Sequence, residues 1–418
     1  MKDILIEIWE TAKRNKMRTA LTGFAVAWGI FMIIFLLGAG NGLINAQMIQ
    51  KERFLDNSII VAGGYTSKPY KGFKEGRWIN LNTKDLDFTG SKKHVVDEIT
   101  PSKSKSDMTF TYKNNYVSNS IEAVSPADIK INKKEMLCGR FIDDIDMSQK
   151  RKTVVISESD AKERMPQDTK AILGQYIDIN DIAFRVVGIY KTDKSGHNNN
   201  NYIPFTTFMS IFTGSNDIDM IAFSFHGLND ERSNELFEDE YRAGINANHQ
   251  VAPDDKSALR IWNMFTQSIQ MQQGIGIIHT FLWIVGLFTL LSGVVGVSNI
   301  MLITVKERTR EFGIRKAIGA KPASILRLVI AESIIITTIF GYIGMLAGIV
   351  ANEYMDATIG HTTVKSGLFE ATMFYNPTVG LDVCAATTLV MIIAGTMAGL
   401  VPATKAAKIK PIEALRAE

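Results

Sequence analysis

Residues 20–40 read ALTGFAVAWGIFMIIFLLGAG, and this stretch decides the fold. It lies in a run of 32 residues between Arg18 and Lys51 without Asp, Glu, Lys or Arg. It is long and apolar enough to cross a hydrocarbon core of roughly 30 Å as a helix. A signal h-region is shorter, roughly 7 to 15 residues, and no convincing small-x-small cleavage site closes the run, so it is expected to stay as an anchor. Three more spans follow. One lies in the 45 charge-free residues from Ile261 to Val305, best placed at Gly276–Ile303, and the others run from about Leu328 to Ala351 and from Val383 to Val401. Four spans put both termini on one side.

The chain averages hide this pattern. The 418 residues are 46% hydrophobic and 21% charged, with a formal charge of +3 and mean hydropathy of +0.05. That balance excludes a strongly basic nucleic-acid binder. The two cysteines, Cys138 and Cys384, exclude a disulfide scaffold, a Cys-rich zinc module and an iron–sulfur cluster.

Basic residues set the orientation. The first 18 residues hold five, the link between spans two and three holds seven (Lys306, Arg308, Arg310, Arg315, Lys316, Lys321 and Arg327), and the tail holds four. The loop between spans three and four has only Lys365, against Glu353, Asp356, Glu370 and Asp382. The termini and the middle link are expected in the cytoplasm and residues 41–275 outside. That outer segment carries 29 basic and 31 acidic residues, an ordinary soluble surface. Strands are predicted at Thr153–Ser157, Tyr176–Ile179 and Ala183–Tyr190, a turn at Asn180-Asp181, a helix at Glu158–Arg164 and a loop at Ser195–Asn201, giving an α+β domain.

Both charge-free runs overshoot the bilayer: 45 helical residues would measure about 67 Å. The surplus is uncharged but polar, with Ile44/Met48 and Ile261/Phe265/Ile269 at i, i+4 spacing, which suggests paired helical extensions forming a stalk. Chemistry is scarce. There is no phosphate loop, no His-Glu-x-x-His and no Gly-x-Ser-x-Gly, and the six histidines are scattered, so a non-catalytic chain without metal or cofactor of its own is expected. Cys138 reads as a small apolar filler, and Glu332, near the inner end of span three, either as a proton-relay or helix-locking group or, in preference, as the partner of a nearby base such as Arg327.

The link Val305–Pro322 has more order than a topological signal requires. Glu307/Glu311 and Arg308/Phe312 stand at helical spacing, Phe312, Ile314 and Ile318 are apolar, Gly319 stops the helix and Pro322 restarts one.

This segment, KERTREFGIRKAIGAK from Lys306 to Lys321, resembles the signature link of MacB/FtsX-like ABC transporter permeases. So do Asn15–Thr22, Gly139–Asp144, Val154–Ser157 with Leu173-Gly174-Gln175 and Phe184–Ile189, and the tail Pro402–Arg416. The resemblance implies an α-helical membrane protein with four transmembrane helices and a large extracytoplasmic α+β domain, in porter-like and β-rich parts, between helices one and two. Ile4, Leu5, Ile8, Trp9 and Ala12 share one helical face that Glu7, Lys13 and Arg14 avoid, so residues 1–18 read as a cytoplasmic amphipathic helix beside the membrane, followed by helix one and stalk at 19–50 and the outer domain at 51–260. Stalk and helix two take 261–303, the coupling link 304–325, helix three 326–352, a short outer loop 353–382, helix four 383–404 and a tail 405–418. The ATPase-coupling residues would be Glu307, Arg308, Thr309, Arg310, Glu311, Phe312, Gly313, Ile314, Arg315, Ile318 and Gly319, and the stalk residues Ile44, Met48, Phe265 and Ile269. Expected partners are two copies of a cytoplasmic ABC ATPase that binds the ATP and Mg, a second permease subunit (identical or not), membrane lipid, and for tripartite efflux a periplasmic adaptor and outer-membrane channel, but no nucleic acid. The expected place is the bacterial inner membrane, and the expected work export or extraction of an antibiotic, peptide or lipoprotein by mechanotransmission. The alternative is a transducer that regulates an outside partner such as a cell-wall hydrolase.

Overall fold

The computed structural model describes residues 16–51, 54–112, 115–165, 168–192, 200–359, 363–366, 369–372 and 374–411. The N-terminal apolar face, the loop at 195–199 and residues 412–418 fall outside them. The longer helices are α1 (Lys16–Lys51), α2 (Thr83–Ser91), α3 (Glu231–Asn248), α4 (Met264–Glu307), α5 (Thr309–Ala317), α6 (Pro322–Ile359) and α7 (Leu381–Lys408). The chain divides into a helical unit of residues 1–47, 274–362 and 372–418 and an outer unit of residues 48–273 and 363–371.

Within the helical unit, α1, α4, α6 and α7 are each long and apolar enough to cross a membrane. Their shared core includes Val26, Ile30, Ile33, Leu290, Val297, Val329 and Ala394. Without water to expel between helices in lipid, association depends on close packing, which small residues permit. A Cβ at Gly344 would collide with the Ala27 carbonyl, and one at Gly38 with the Asn352 side chain. Two buried side chains stitch helices together: Ser333 Oγ donates to the Gly395 carbonyl at 2.8 Å, and Asn352 Nδ2 to the Ile34 carbonyl at 3.0 Å. At the outer end of α1, Asn41 and Asn45 donate to the carbonyls of Thr378 and Asn376, both at 2.9 Å, and the Tyr375 amide donates to the Gly42 carbonyl at 3.0 Å. The segment before α7 is thereby strapped to α1. Large apolar side chains such as Phe281, Phe288, Ile343 and Leu346 point outward, as a lipid solvent allows.

The outer unit is built on a ten-stranded mixed sheet. Its order is Leu259–Asn263, Ser58–Gly63, Met220–Phe225, Val96–Tyr112, Asn115–Val124, Asn201–Pro204, Thr153–Ser157, Ile182–Tyr190 and Met136–Gly139, with Tyr176–Ile179 pairing both Val96–Tyr112 and Ile182–Tyr190. The 17-residue strand Val96–Tyr112 runs through both halves and shifts register between Lys105 and Met108, with Asp107 at φ +58°. On one side of that bulge α2 and α3 cover the sheet, and Tyr241 of α3 packs on Phe223 and Phe88. The other side is richer in strands.

Several local expectations appear in the structure. The strand Thr153–Ser157 is wholly buried and Ser157 caps the helix Glu158–Arg164. Asn180 and Asp181, at φ +47° and +63°, form the two-residue turn that pairs Ile179 with Ile182. Two expectations need correction. Asn201 is not loop but opens a strand, where it is buried and donates to Asp160 Oδ2 at 2.8 Å. Ile261 belongs to the strand Leu259–Asn263, so the i, i+4 series with Phe265 and Ile269 is broken where α4 begins at Met264.

Candidate coupling site

The link between α4 and α6 is an ordered helical corner. Helix α4 ends at Glu307, Arg308 occupies the break at φ −92°, ψ 12°, and α5 continues from Thr309. Thr309 Oγ1 donates to the Lys306 carbonyl at 2.7 Å, taking up one acceptor freed at the helix end. The far end of α5 closes by a Schellman motif. The Gly319 amide donates to the Lys316 carbonyl and the Ala320 amide to the Arg315 carbonyl, both at 3.0 Å. Gly319 sits at φ +104°, where an L side chain is strained.

Arg308 organises the corner. Its Nε and Nη2 bond the two carboxylate oxygens of Glu311 at 2.9 and 3.0 Å, its guanidinium lies 5.2 Å from the Phe312 ring centre, and its Nη1 reaches Glu332 Oε2 of α6 at 3.3 Å. Arg315 Nη2 reaches Glu311 Oε1 at 2.8 Å. Glu332 therefore pairs with Arg308, not with Arg327. Lys316 ties α5 to the end of α7, donating to the carbonyls of Ala407 at 2.6 Å and Ile409 at 2.9 Å.

The expected coupling residues divide by exposure. Phe312 is buried in the helical core with Val305, Ile325, Val329 and Ala403. Its apolar character serves to seat the link on the bundle, which corrects its assignment as an outward-facing anchor; Gly313 beside it is buried too. Thr309, Arg308, Glu311 and Arg315 are half-buried. Glu307, Arg310, Ile314, Ile318 and Gly319 are exposed, Ile318 at 82%. Steps of four from Arg310 to Ile314 and on to the C-cap residue Ile318 put charge and apolar surface on one stripe of α5, while Glu307 is exposed on the last turn of α4.

The stalk positions differ among themselves. Ile44 is buried, Met48 exposed and Ile269 half-buried, while Phe265 packs against the core of the outer unit. The entry into α4 depends on Asn263, which the sequence reading missed. Its Oδ1 accepts from the amides of Phe265 and Thr266 at 3.0 and 3.3 Å, and its Nδ2 donates to Asn234 Oδ1 and Glu238 Oε1 of α3, both at 2.8 Å. An Asn directly before a charge-free run is the cap signal that marks this start. Among the described residues no cluster of His, Cys, Asp and Glu could hold a metal ion. Cys138 is half-buried and packs against the outer core.

The chain has relatives among known proteins. Residues 19–243 match the MacB-like periplasmic core domain and residues 283–411 the FtsX-like permease C-terminal domain. The chain is 26% identical over 414 residues to the macrolide export ATP-binding/permease protein MacB of Shewanella oneidensis, covering 97% of this chain and 59% of that protein. It is 27% identical over 416 residues to the uncharacterized ABC transporter permease YknZ of Bacillus subtilis, covering 97% and 96%. The periplasmic region of MacB from Actinobacillus actinomycetemcomitans, as a crystal structure, aligns with a TM-score of 0.43 at 19% identity, covering 53% of this chain and 95% of that one. The chain, a multi-pass membrane protein with a large mixed-sheet domain after its first helix, thus belongs to the MacB/FtsX-like family of ABC transporter permeases.

Proposed function

We propose that this protein is the membrane subunit of a machine in which a separate cytoplasmic ATPase does the hydrolysis and the permease transmits the resulting motion outward, to export or extract a substrate on the outer side of a bacterial cytoplasmic membrane. The observation that carries the reading is the exposed set Arg310, Ile314 and Ile318, on α5 and its C-cap, with that helix held to the bundle by Phe312, Arg308 and Lys316. A basic-rich loop needed only for topology has no use for exposed isoleucines on a clamped helix. The first and last strands of the large sheet in sequence order, neighbours at one edge of it, support the mechanical part. The strand Ser58–Gly63 shortly follows α1, the strand Leu259–Asn263 leads directly into α4, and the two strands pair with each other. Two ATPase copies, with ATP and Mg, and a second permease subunit complete the proposed assembly.

The test is association. Ile314→Ser with Ile318→Ser should leave folding intact, because neither side chain is buried, and weaken binding of the cognate ATPase by about 1 to 3 kcal/mol, roughly 5- to 150-fold. Equal binding by wild type and the double variant would contradict the assignment of this face.

A further inference from the structure

We infer that Glu332 is the positioning residue of the coupling helix: through Arg308 it sets the angle at which α5 leaves α4 and fastens that corner to α6. The inference rests on the proposed role of α5 as the ATPase-docking helix. Glu332 lies ten residues into α6, is the one charged residue between Arg327 and Glu353, and is 4% exposed. An acid at such a place is costly unless an opposite charge meets it. The charge it meets is on the residue that interrupts the helix between α4 and α5.

The ions of the corner differ in depth. The Glu311 and Arg315 side chains are 40% and 39% exposed, whereas those of Arg308 and Glu332 are 14% and 6% exposed. Half-exposed pairs within one helix add little, while breaking a buried pair strands the remaining charge. Arg308–Glu332 is the deeper of these pairs and joins two elements. The planar guanidinium meets Glu311 with one edge and Glu332 with the other. Rotation of α5 about the break therefore pulls on α6. The other attachments act at different points: Phe312 inserts in the middle of α5, and Lys316 grips α7 from its last turn. Among the described contacts, the one Glu332 makes is at the start of α5, where direction is set.

The experiment is hydrogen exchange on the full chain in lipid nanodiscs, without partner, comparing wild type, Glu332→Gln and Glu332→Asp. The expected result for Glu332→Gln is exchange at least tenfold faster at the amides of Thr309–Ala317 with Leu381–Lys408 unchanged, and for Glu332→Asp, which keeps the charge, exchange within about threefold of wild type. No change in α5, or an equal rise in α5 and α7, would overturn the inference, the second outcome being that of a merely structural acid. Should Glu332→Gln fail to fold, Arg308→Lys serves: it keeps the charge but cannot fork between two carboxylates, and it should loosen the same amides. A second arm measures binding of the cognate ATPase, expected to weaken about tenfold or more in Glu332→Gln and to recover in Glu332→Asp. If the wild type itself binds no ATPase, the proposed function fails while the exchange data still decide the role of Glu332.

Discussion

Asp128 shows what a single buried group contributes to the outer domain. It is 2% exposed, its Oδ1 accepts from Asn132 Nδ2 at 2.7 Å, and Lys134 Nζ stands 4.0 Å from its Oδ2. Burial pushes its carboxyl up from 3.8 to about 7, with Lys134 opposing. The folded pKa is above the unfolded one, so the native state holds the proton more tightly. The associated stabilisation is full below about pH 4 and is lost as pH rises through about 7. The thermal midpoint of the outer domain in the full chain should therefore fall between pH 5 and 8, and Asp128→Asn should flatten that fall; an unaltered slope would refute the assignment. Gly344 makes the corresponding case in the bundle. Since a Cβ there meets the Ala27 backbone, Gly344→Ala should destabilise the helical unit by about 1 to 3 kcal/mol, read as thermal unfolding in detergent. Neither effect was legible in the sequence, because burial of Asp128 and the approach of α1 to α6 are products of tertiary packing. The Arg308–Glu332 pair escaped for the same reason: 24 positions separate the two residues, while Arg327 stood nearer on the same helix.

At the scale of elements, composition was the stronger guide. Absence of charge over long runs located the four membrane helices, and the alternation in Thr153–Tyr190 located strands, since both signals repeat over many residues. Boundaries were harder. Ile261 fitted a helical series but is in a strand, because pairing with Val61 and the Asn263 cap move the start of α4 to Met264. Asn263→Ala should remove that cap and leave Asn234 and Glu238 short of a donor, costing about 1 to 2 kcal/mol. The check is faster amide exchange in the first turn of α4 with the remainder of the helix unchanged. A flexible Gly-Ser insertion beside Gln270 should abolish transport while partner-driven hydrolysis persists, because it softens α4 without touching α5. Normal transport by that variant would make the extension a passive tether.

At the scale of the whole molecule, the four-helix frame, the outer α+β domain and the family were legible from motifs spread along nearly the whole chain, whereas the outward side of the link was not. Periodicity grouped Phe312 with Ile314 and Ile318, and only the packed bundle separates the buried ring from the exposed isoleucines. Phe312→Ala should thus lower the stability of the bundle by about 3 to 5 kcal/mol before it affects any partner. The purified chain should show no ATP hydrolysis by itself and acquire it on addition of the ATPase subunit, since no phosphate loop is present in it. Turnover by the isolated chain would end the proposal.

The pairing of the sheet's edge strand Leu259–Asn263 with its neighbour Ser58–Gly63 bears on how force would be carried in the proposed machine. Ile59 stands opposite Asn263 and Gly63 opposite Leu259, so α1 and α4 join this antiparallel ribbon at the same end. Tension that splays the two helices would peel the ribbon one rung at a time from Ile59 and Asn263, the weakest way to load a ladder of hydrogen bonds. Thrust that drives both helices along their axes loads no rung against another. Within the outer unit, then, the pairing of these two strands is soft to a load that parts them and stiff to one they share.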